Sequence, residues 1–304
     1  MKIAFITPTK DRPEDLRKML ASLAGQTRRP DQVIVVDASV EPVERIVQSI
    51  GGLAAEYVRW TGKPSAAAQR NAGLTKVRED IGLVCFFDDD QILHPDGIEK
   101  MLAFWGTAGV EIGGASFNMA NYQDNRCGRL KKSRLTDALG LYCREPGRVA
   151  RSGWQSLYGK VTQNTEVEWV GSGASVWRRD VLAQFRFDPF FDGYSYLEDL
   201  DFSYGVSRTC KLVVVADAMF EHYHSRAGKN SRYSFGELEV RNRLYFVNKH
   251  DLSLPRCYAG LALRVLMNLA LIAKRRELGL LSNLAGNLVG VMRGIVQRSY
   301  VKRS

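Results

Sequence analysis

Three consecutive carboxylates, Asp88, Asp89 and Asp90, follow the apolar segment IGLVCFF. Adjacent carboxylates repel one another, and a divalent cation bound among them removes that repulsion. Hard cations such as Mg²⁺ bind a few protein carboxylates and fill their other positions with phosphate oxygens and water. Because side chains alternate between the two faces of a strand, we expect Asp88 and Asp90 to point one way and Asp89 the other. A solvated acidic turn has the same composition, so residues elsewhere must decide between the two interpretations.

A second acidic group, Glu198, Asp199 and Asp201, lies in the segment LEDLDFSYGVSR, which predicts the first turn of a helix. The helix dipole favours acidic residues at this position, so capping alone explains their presence. Two adjacent acids beside the aromatic-rich segment FDPFFDGYSY are equally suited to hold a general base, which accepts a proton during a reaction. The local sequence leaves both explanations open.

Two of the four histidines, His222 and His224, lie in FEHYHSRAG, after the apolar run KLVVVADAM. A histidine at the end of a strand is most often a hydrogen-bonded structural residue. Residues at positions i and i+2 of a strand share a face, so either histidine is also placed to complete a metal site that the aspartates begin.

Four apolar runs, KIAFIT, DQVIVVDAS, EYVRW and IGLVCFF, predict buried strands. Between them, DRPEDLRKMLASLAGQT has its apolar residues at helical spacing, and residues 42–50 and SAAAQRNAGLTKVRE predict two further helices. Strands that alternate with helices in this way predict an α/β fold, with a mostly parallel sheet flanked by helices.

The carboxyl ends of parallel strands meet at one edge of the sheet, where such sheets bind their ligands. Asp11, Asp37 and the three consecutive aspartates all follow predicted strands, which favours a shared site over a solvated turn. The phosphate-binding patterns G-x-G-x-x-G and G-x-x-x-x-G-K-[ST] are absent from this part of the sequence, which disfavours a dinucleotide-dependent dehydrogenase and a P-loop nucleotidase.

Composition indicates an ordinary globular protein. The chain has 304 residues, of which 45% are hydrophobic and 25% are charged, and its formal net charge is +10. Its five cysteines are widely spaced without a C-x-x-C pair, which disfavours a disulfide scaffold or a zinc ribbon and favours a reducing compartment. The short apolar run at the N-terminus is not typical of a signal peptide, so we expect a cytoplasmic protein.

Most of the excess charge lies near the C-terminus. Residues 256–304 hold nine basic residues and one acidic residue, a net charge of +8. We expect a main domain over residues 1–250 and a basic, amphipathic helical tail over 251–304, without a window of about 18 uncharged apolar residues that would span a bilayer. Such a tail suits an anionic membrane surface, while a hairpin that caps the main domain is the alternative. The tail lacks interleaved aromatic residues, which disfavours nucleic-acid binding.

Taken in order, these motifs resemble the family 2 glycosyltransferases, inverting enzymes of the GT-A fold that use nucleotide-diphosphate sugars. The resemblance covers roughly residues 2–250 and rests on the order and spacing of ITPTKDR, VIVVDAS, RNAG, FFDDDQILHPDGI, GSGASVWRRDVL, LEDLDFSYGVSR and the late histidines. It implies a GT-A (Rossmann-like) sheet flanked by helices.

The resemblance also implies roles for individual residues. Asp199 is the expected catalytic base, and Asp90 is the expected ligand of Mg²⁺ or Mn²⁺ together with His222, for which His224 is the alternative. The expected nucleotide-sugar-binding residues are Thr7, Asp11, Asp37, Arg70, Asn71, Asp88, Asp89 and Glu198. The floor of the sugar pocket is expected at residues 171–175, with Trp169 or Trp177 stacked on a ring.

The implied function is metal-assisted transfer of a sugar from a nucleotide-diphosphate sugar to a hydroxyl of a glycan or lipid-linked acceptor. The expected setting is the inner face of the cytoplasmic membrane, in bacterial cell-envelope polysaccharide biosynthesis. Basic residues within 126–151 suit a phosphorylated or lipid-diphosphate-linked acceptor, and a solvated insertion explains them equally well. The alternatives are a GT-A-like nucleotidyltransferase, although IAFITPTKDRPED lacks the expected glycine-rich loop, and a catalytically inactive sugar-nucleotide-binding or scaffold protein.

Overall fold

The computed structural model describes residues 1–123, 133–223, 231–275 and 279–296. Its strands are β1 (Ile3–Thr9), β2 (Gln32–Asp37), β3 (Ala55–Arg59), β4 (Leu83–Phe87), β5 (Gln91–Leu93), β6 (Ile112–Met119), β7 (Thr165–Val167), β8 (Ala174–Arg178) and β9 (Lys211–His222). Its helices are α1 (Pro13–Ala24), α2 (Glu44–Ser49), α3 (Ala66–Leu74), α4 (Gly97–Thr107), α5 (Arg134–Ala138), α6 (Arg179–Gln184), α7 (Glu198–Ser207), α8 (Arg232–Lys249), α9 (Leu254–Arg275) and α10 (Gly279–Val296).

The strands form one mixed sheet in the order β3-β2-β1-β4-β8-β6-β9-β5, and β7 pairs with β9 beside this path. The pairs β1/β2, β1/β4 and β2/β3 are parallel, as the alternating strand and helix patterns predict. In the other half, β8 lies antiparallel between β4 and β6, and β5 is antiparallel to β9. The pair β6/β9 in this half is parallel, so parallel pairs occur in both halves of the sheet. The predicted α/β fold, with a sheet flanked by helices, is confirmed.

Strand β1 continues two residues beyond the predicted end at Thr7, through Pro8 to Thr9. Its pairing with β4 ends at Ile6 and Phe86, whereas its pairing with β2 continues as far as Thr9 and Asp37. Proline lacks an N–H donor, and here it lies past the last bridge to β4, where no bond to that strand is lost. The extension carries Thr9 to the edge of the sheet.

Helices cover both faces of the sheet because β1, β2 and β4 are apolar on both sides. The alternate residues of β1 divide between two cores, Ile3 and Phe5 in one and Ala4 and Ile6 in the other. The predicted apolar stripe of α1 packs in the first core, with Leu16, Met19, Leu20 and Leu23 all buried. Rigid packing on both faces holds the strand ends in place, and the site is built on them.

The chain divides into two compact units, which each include two segments. The first unit is Met1–Asp124 with Tyr158–Gly228 and contains the whole sheet, and the second is Asn125–Leu157 with Lys229–Ser304. By packing, α8 therefore belongs with α9 and α10, although it lies before residue 250. The division into domains at residue 250 stays a prediction.

Helix α9 is long and largely apolar. Among the described residues it is long and apolar enough to cross a membrane by length and composition, over Leu254–Lys274 with a mean hydropathy of 1.4. Arg264 lies within this segment, so the expectation that the tail lacks a window of about 18 uncharged apolar residues is not contradicted. Only 22% of that window is buried, whereas the core helix of a soluble protein is mostly buried.

Candidate functional site

Strand β4 ends at Phe87, so the three aspartates that follow it lie in a turn and do not alternate between two faces. Asp89 turns inward and accepts hydrogen bonds from Thr9 Oγ1 at 2.7 Å and from Arg12 Nη1 at 3.0 Å. Burial raises the pKa of Asp89 to about 7, although Arg12 and Thr9 favour its charged form. Arg12 Nη1 also lies 3.5 Å from Asp90 Oδ2, so two adjacent aspartates share one guanidinium. The predicted opposite orientation of Asp89 and Asp90 is wrong for this reason.

Asp90, which directly precedes β5, lies next to His222 at the end of the neighbouring strand β9. The antiparallel register of β5 and β9 places Gln91 opposite His222, and the His222 Nε2 atom lies 3.2 Å from Asp90 Oδ1. Burial lowers the pKa of His222, but the hydrogen bond and the charge of Asp90 outweigh burial and leave that pKa raised. These two residues, which are far apart in sequence, therefore lie next to each other, and their role as metal ligands stays a prediction. His224 and residues 124–132 lie outside the described residues.

Arg70 joins the two acidic segments. Its Nη2 atom lies 2.6 Å from Asp88 Oδ1, and its Nη1 atom lies 2.5 Å from Glu198 Oε1. The guanidinium is buried and lies over the ring of Phe187, 5.3 Å from its centroid. Burial lowers the pKa of Arg70, but the two carboxylates outweigh burial and raise that pKa above the ordinary arginine value. Arg70 thereby fixes the end of β4 against the start of α7.

Glu198 and Asp199 begin α7 after a constrained turn. Ser195 and Leu197 have positive φ angles of 52° and 72°, which are strained for residues other than glycine. Burial and the charge of Asp199 raise the pKa of Glu198, against the lowering effect of Arg70. Burial also raises the pKa of Asp199, although its Oδ1 atom accepts the Leu200 N–H at 2.7 Å. One arginine faces three carboxylates here, and this excess of negative charge favours proton uptake.

Gly173 lies against the first aspartate. The Asp88 N–H donates to the Gly173 carbonyl at 2.8 Å. A Cβ atom at Gly173 would lie 2.5 Å from Asp88 Oδ2 and 2.6 Å from Gln91 Nε2. The expected pocket floor at residues 171–175 thus lies beside the acidic cluster. Trp177, by contrast, is fully buried against Phe202 and is not available to stack on a sugar.

Asp37 and Asp11 hold the loops that follow β2 and β1. Asp37 is fully buried, and its carboxylate accepts hydrogen bonds from Ser39 N, Val43 N, Tyr57 Oη and Arg59 Nη1. Burial opposes ionisation of Asp37, but these donors outweigh burial and lower its pKa. Asp11 has a positive φ of 54° and accepts the Val40 N–H at 2.7 Å. Their contact with a nucleotide stays a prediction.

Two further predicted residues lie away from the carboxylate contacts. Thr7 is buried in β1, and its hydroxyl has no hydrogen-bond partner within the described residues. Asn71 makes two hydrogen bonds with the main chain of Phe187, at 2.8 and 3.1 Å, and so fixes the segment before α7. Asn71 therefore positions its neighbour Arg70 and the segment that carries Phe187.

The binding residues expected from the sequence do not include Thr9 or Arg12, the two partners of Asp89. The expectation that Pro8 ends the first strand leaves Thr9 outside β1. Arg12 stands directly before Pro13, the first residue of α1, where the capping pattern directs attention to Asp11. A basic residue at a strand end near an acidic cluster is the signal that could have identified it.

The donor chemistry of Asp90 and His222 fits Mg²⁺ or Mn²⁺, since carboxylate oxygens suit both ions and imidazole nitrogen suits transition metals. Among the described residues, no group of three or more histidine, cysteine or acidic side chains is placed to hold a metal. Such a small protein set is compatible with an ion that binds chiefly through substrate phosphates and water. The two residues therefore fit an ion that enters with a phosphorylated ligand.

The model of the family "Glycosyl transferase family 2" matches residues 4–173, more than half of the chain. The chain belongs to glycosyl transferase family 2. The matched segment holds the acidic turn and ends at Gly173, beside Asp88. The uncharacterized glycosyltransferase YwdF of Bacillus subtilis is 31% identical over 101 residues, which cover 33% of this chain and 37% of YwdF. The chain thus matches little more than a third of that relative's length.

Solved structures share the fold at low sequence identity. The structure of TarS 1-349 of S. aureus in complex with UDP-GlcNAc has 14% sequence identity and a TM-score of 0.54. The match covers 100% of this chain and 93% of the TarS chain. The chain covers 42% of a longer TarS structure. The structure of the mannosyltransferase PcManGT of Pyrobaculum calidifontis in complex with GDP-Man and Mn²⁺ also has 14% sequence identity and a TM-score of 0.54. The match covers 98% of this chain and 88% of the PcManGT chain. These likenesses confirm the GT-A type of fold.

Proposed function

We propose that this family 2 member transfers a sugar from a nucleotide-diphosphate sugar to an acceptor hydroxyl, with inversion at the anomeric carbon. The observation that carries the proposal is the bridge of Arg70 between Asp88 Oδ1 and Glu198 Oε1, at 2.6 and 2.5 Å. Through it, the aspartates suited to a diphosphate and its cation lie next to a pair of acids suited to proton transfer. A transfer between two substrates needs both sets of groups within one site.

Asp199 is the general base of the proposed reaction. Its carboxylate would accept the proton of the acceptor hydroxyl as that oxygen attacks the anomeric carbon and the bond to the diphosphate breaks. Glu198 is engaged by Arg70, which leaves Asp199 as the member of the pair suited to this role. Burial raises the pKa of Asp199 and so makes its carboxylate a stronger base than an exposed aspartate.

Asp90 and His222 would hold Mg²⁺ or Mn²⁺. When bound, the cation neutralises charge on the departing diphosphate as a Lewis acid. Arg12, which contacts Asp89 and Asp90, would add positive charge on the same side of the site. The PcManGT structure is a complex with both GDP-Man and Mn²⁺, which supports this part of the proposal.

The proposed donor is a nucleotide-diphosphate sugar, because the structural neighbours carry UDP-GlcNAc, UDP or GDP-Man. The proposed acceptor is a hydroxyl of a glycan or of a lipid-linked glycan, in cell-envelope polysaccharide biosynthesis on the cytoplasmic side of the membrane. The basic character of residues 256–304 supports an acceptor at an anionic surface.

A binding panel tests this proposal. Thermal unfolding of the full chain would be followed with UDP, GDP, dTDP and CDP, each with and without Mn²⁺. We expect one nucleotide to raise the melting temperature, and to do so only when Mn²⁺ is present. A ligand at about 100 times its dissociation constant adds about 2.7 kcal/mol to the stability of the folded state, and this stabilisation raises the melting temperature.

The same panel on Asp90→Ala should show no dependence on Mn²⁺, whereas the exposed Asp217→Ala should behave as the unmodified chain does. Stabilisation by the nucleotide without any effect of Mn²⁺ would refute the metal assignment. Release of nucleoside diphosphate from the matching sugar donor then separates an active transferase from an inactive sugar-nucleotide-binding protein.

A further inference from the structure

Helix α10 exposes its apolar residues. Leu281, Leu288, Met292 and Ile295 are 48%, 58%, 60% and 63% exposed. Together with the exposed Ala285, they recur at intervals of four and three residues and so line one face of the helix. We call this set the α10 stripe. A helix on the surface of a soluble protein normally shows charged and polar residues on its outer face.

The opposite face of α10 is polar and small. Asn283, Gly286, Asn287 and Gly290 pack against α8, and a Cβ atom at Gly286 would clash with the carbonyl oxygen of Tyr233. The Asn287 Nδ2 atom donates to the carbonyl of Gly236 at 2.8 Å. Close backbone approach through glycine, with side-chain amides bonded between helices, is typical of helices that are surrounded by lipid.

Helix α9 repeats this inverted arrangement. Leu266 and Leu269 are 62% and 45% exposed, whereas Asn268 is buried. Arg264 turns inward, where its Nε atom lies 2.9 Å from Oε1 of the buried Glu239 on α8. We call Leu266 and Leu269, with the exposed Ala262, Ala270 and Ala273, the α9 stripe. Both helices therefore bury polar groups inside the second unit, beside Leu261 and Leu284, and expose a row of apolar residues.

We propose that the α9 and α10 stripes dock on the surface of an anionic membrane, with their apolar side chains in one leaflet. Charge complementarity identifies the partner, since residues 256–304 carry a net charge of +8 and attract anionic headgroups. A second copy of the chain fits less well, because its equally basic helices would repel the first. This inference depends on the second unit and does not rest on the proposed transfer reaction.

The helices lie along the membrane and do not cross it as a hairpin. The sequence KRRE occupies residues 274–277, between the two apolar stretches. A hairpin inserted across the bilayer would carry these charges through hydrocarbon, which is costly even for one charge. An interfacial position keeps them at the level of the headgroups, and the leucines of both stripes still leave water.

Vesicle flotation of the full chain tests the proposal. The double variant Leu266→Glu/Leu288→Glu alters both stripes, and Val110→Glu/Leu157→Glu is a matched control that replaces two exposed aliphatic residues outside them. Both variants gain the same charge, so a difference between them reports apolar insertion. Vesicles of phosphatidylcholine alone and mixed with phosphatidylglycerol would be compared at low and high salt.

We expect the unmodified chain and the control to bind the anionic vesicles. The affinity of the stripe variant for these vesicles should be lower by a factor of about ten or more. Equal binding by both variants would overturn the proposal in favour of attraction by charge alone. Absence of vesicle binding, with a dimer in light scattering that the stripe variant dissociates, would assign the stripes to a second copy. If the glutamate variant fails to fold, as judged by circular dichroism, Leu266→Ser/Leu288→Ser replaces it with Val110→Ser/Leu157→Ser as its control.

Discussion

At the scale of single residues, Arg70 decides whether the two acidic segments can lie together. Its guanidinium is buried between Asp88 and Glu198, and both of its terminal nitrogens are engaged. A planar guanidinium can hold two carboxylates at once, whereas the compact ammonium group of lysine cannot reach both in the same geometry. The charge of Arg70 thus stabilises the fold, and its shape orders the site.

This difference predicts separate effects for two substitutions. Arg70→Met should lower the free energy of unfolding by about 3 kcal/mol or more, because it leaves buried carboxylates without their cation. Arg70→Lys should keep most of the stability and weaken nucleotide binding. Urea unfolding and binding titration measure the two effects, and the exposed Arg45→Met should change stability by less than about 0.5 kcal/mol. An Arg70→Lys variant with unchanged nucleotide affinity would contradict the positioning role.

A substitution of Asp199 tests the proposed chemical step. Asp199→Asn should reduce the rate of sugar transfer by a factor of about 10² to 10⁴, since the amide cannot accept the proton, while donor affinity stays nearly unchanged. Because burial raises the pKa of Asp199, transfer should be lost as the pH falls, at a higher pH than for an exposed aspartate. Asp217→Asn, on the exposed part of β9, is the control. A loss of donor binding that accounts for the whole loss of rate would remove Asp199 from the role of base.

Both acidic segments could be predicted from the sequence because carboxylates after apolar strands, or at the start of a helix, are visible in local patterns. Their partners could not. Thr9 and Asp89 are 80 positions apart, and no periodicity links a threonine beyond a proline to that carboxylate. Likewise, the local pattern of Asp37 gives no sign that four protein donors already surround it.

At the scale of elements, the turn before β8 depends on a residue without a side chain. The methyl group of Gly173→Ala would displace the ends of two side chains, Asp88 and Gln91, and would not press on the backbone. We therefore expect a small change in stability, below about 1 kcal/mol, together with weaker metal-dependent donor binding. Gly82→Ala, where a Cβ atom would contact nothing within 4 Å, should leave donor binding intact. Donor binding by Gly173→Ala equal to that of Gly82→Ala would show that Asp88 is not needed at its observed position.

The first four strands could be predicted as elements because continuous apolar runs are typical of strands buried on both faces. Pairing in the second half of the sheet could not, since a run such as β8 has the same pattern beside a parallel or an antiparallel neighbour. The three-residue strand β5 is too short to give a periodic signal, yet its register brings His222 to Asp90. Helix α8 is similarly hard to interpret from sequence, because it buries Glu239, Asn242 and Arg243 among its apolar residues.

At the scale of the whole molecule, the two compact units carry the two proposed interactions. Every residue of the acidic site belongs to the first unit, and both apolar stripes belong to the second. Hydrogen–deuterium exchange of the full chain can follow both at once, because exchange slows where a ligand stabilises local structure. It therefore tests whether each interaction is confined to one unit.

With Mn²⁺ and the nucleotide selected by the thermal panel, we expect protection around Thr9, the Asp88–Asp90 turn and the start of α7. Anionic vesicles should instead protect α9 and α10, whose exposed leucines leave water on docking. Phosphatidylcholine vesicles and a nucleotide that gives no thermal shift are the controls. Nucleotide protection confined to the second unit would contradict the placement of the donor site at the sheet edge, and vesicle protection confined to the first unit would contradict docking through the stripes. Since each ligand protects its own expected segments, failure of one assignment does not affect the other.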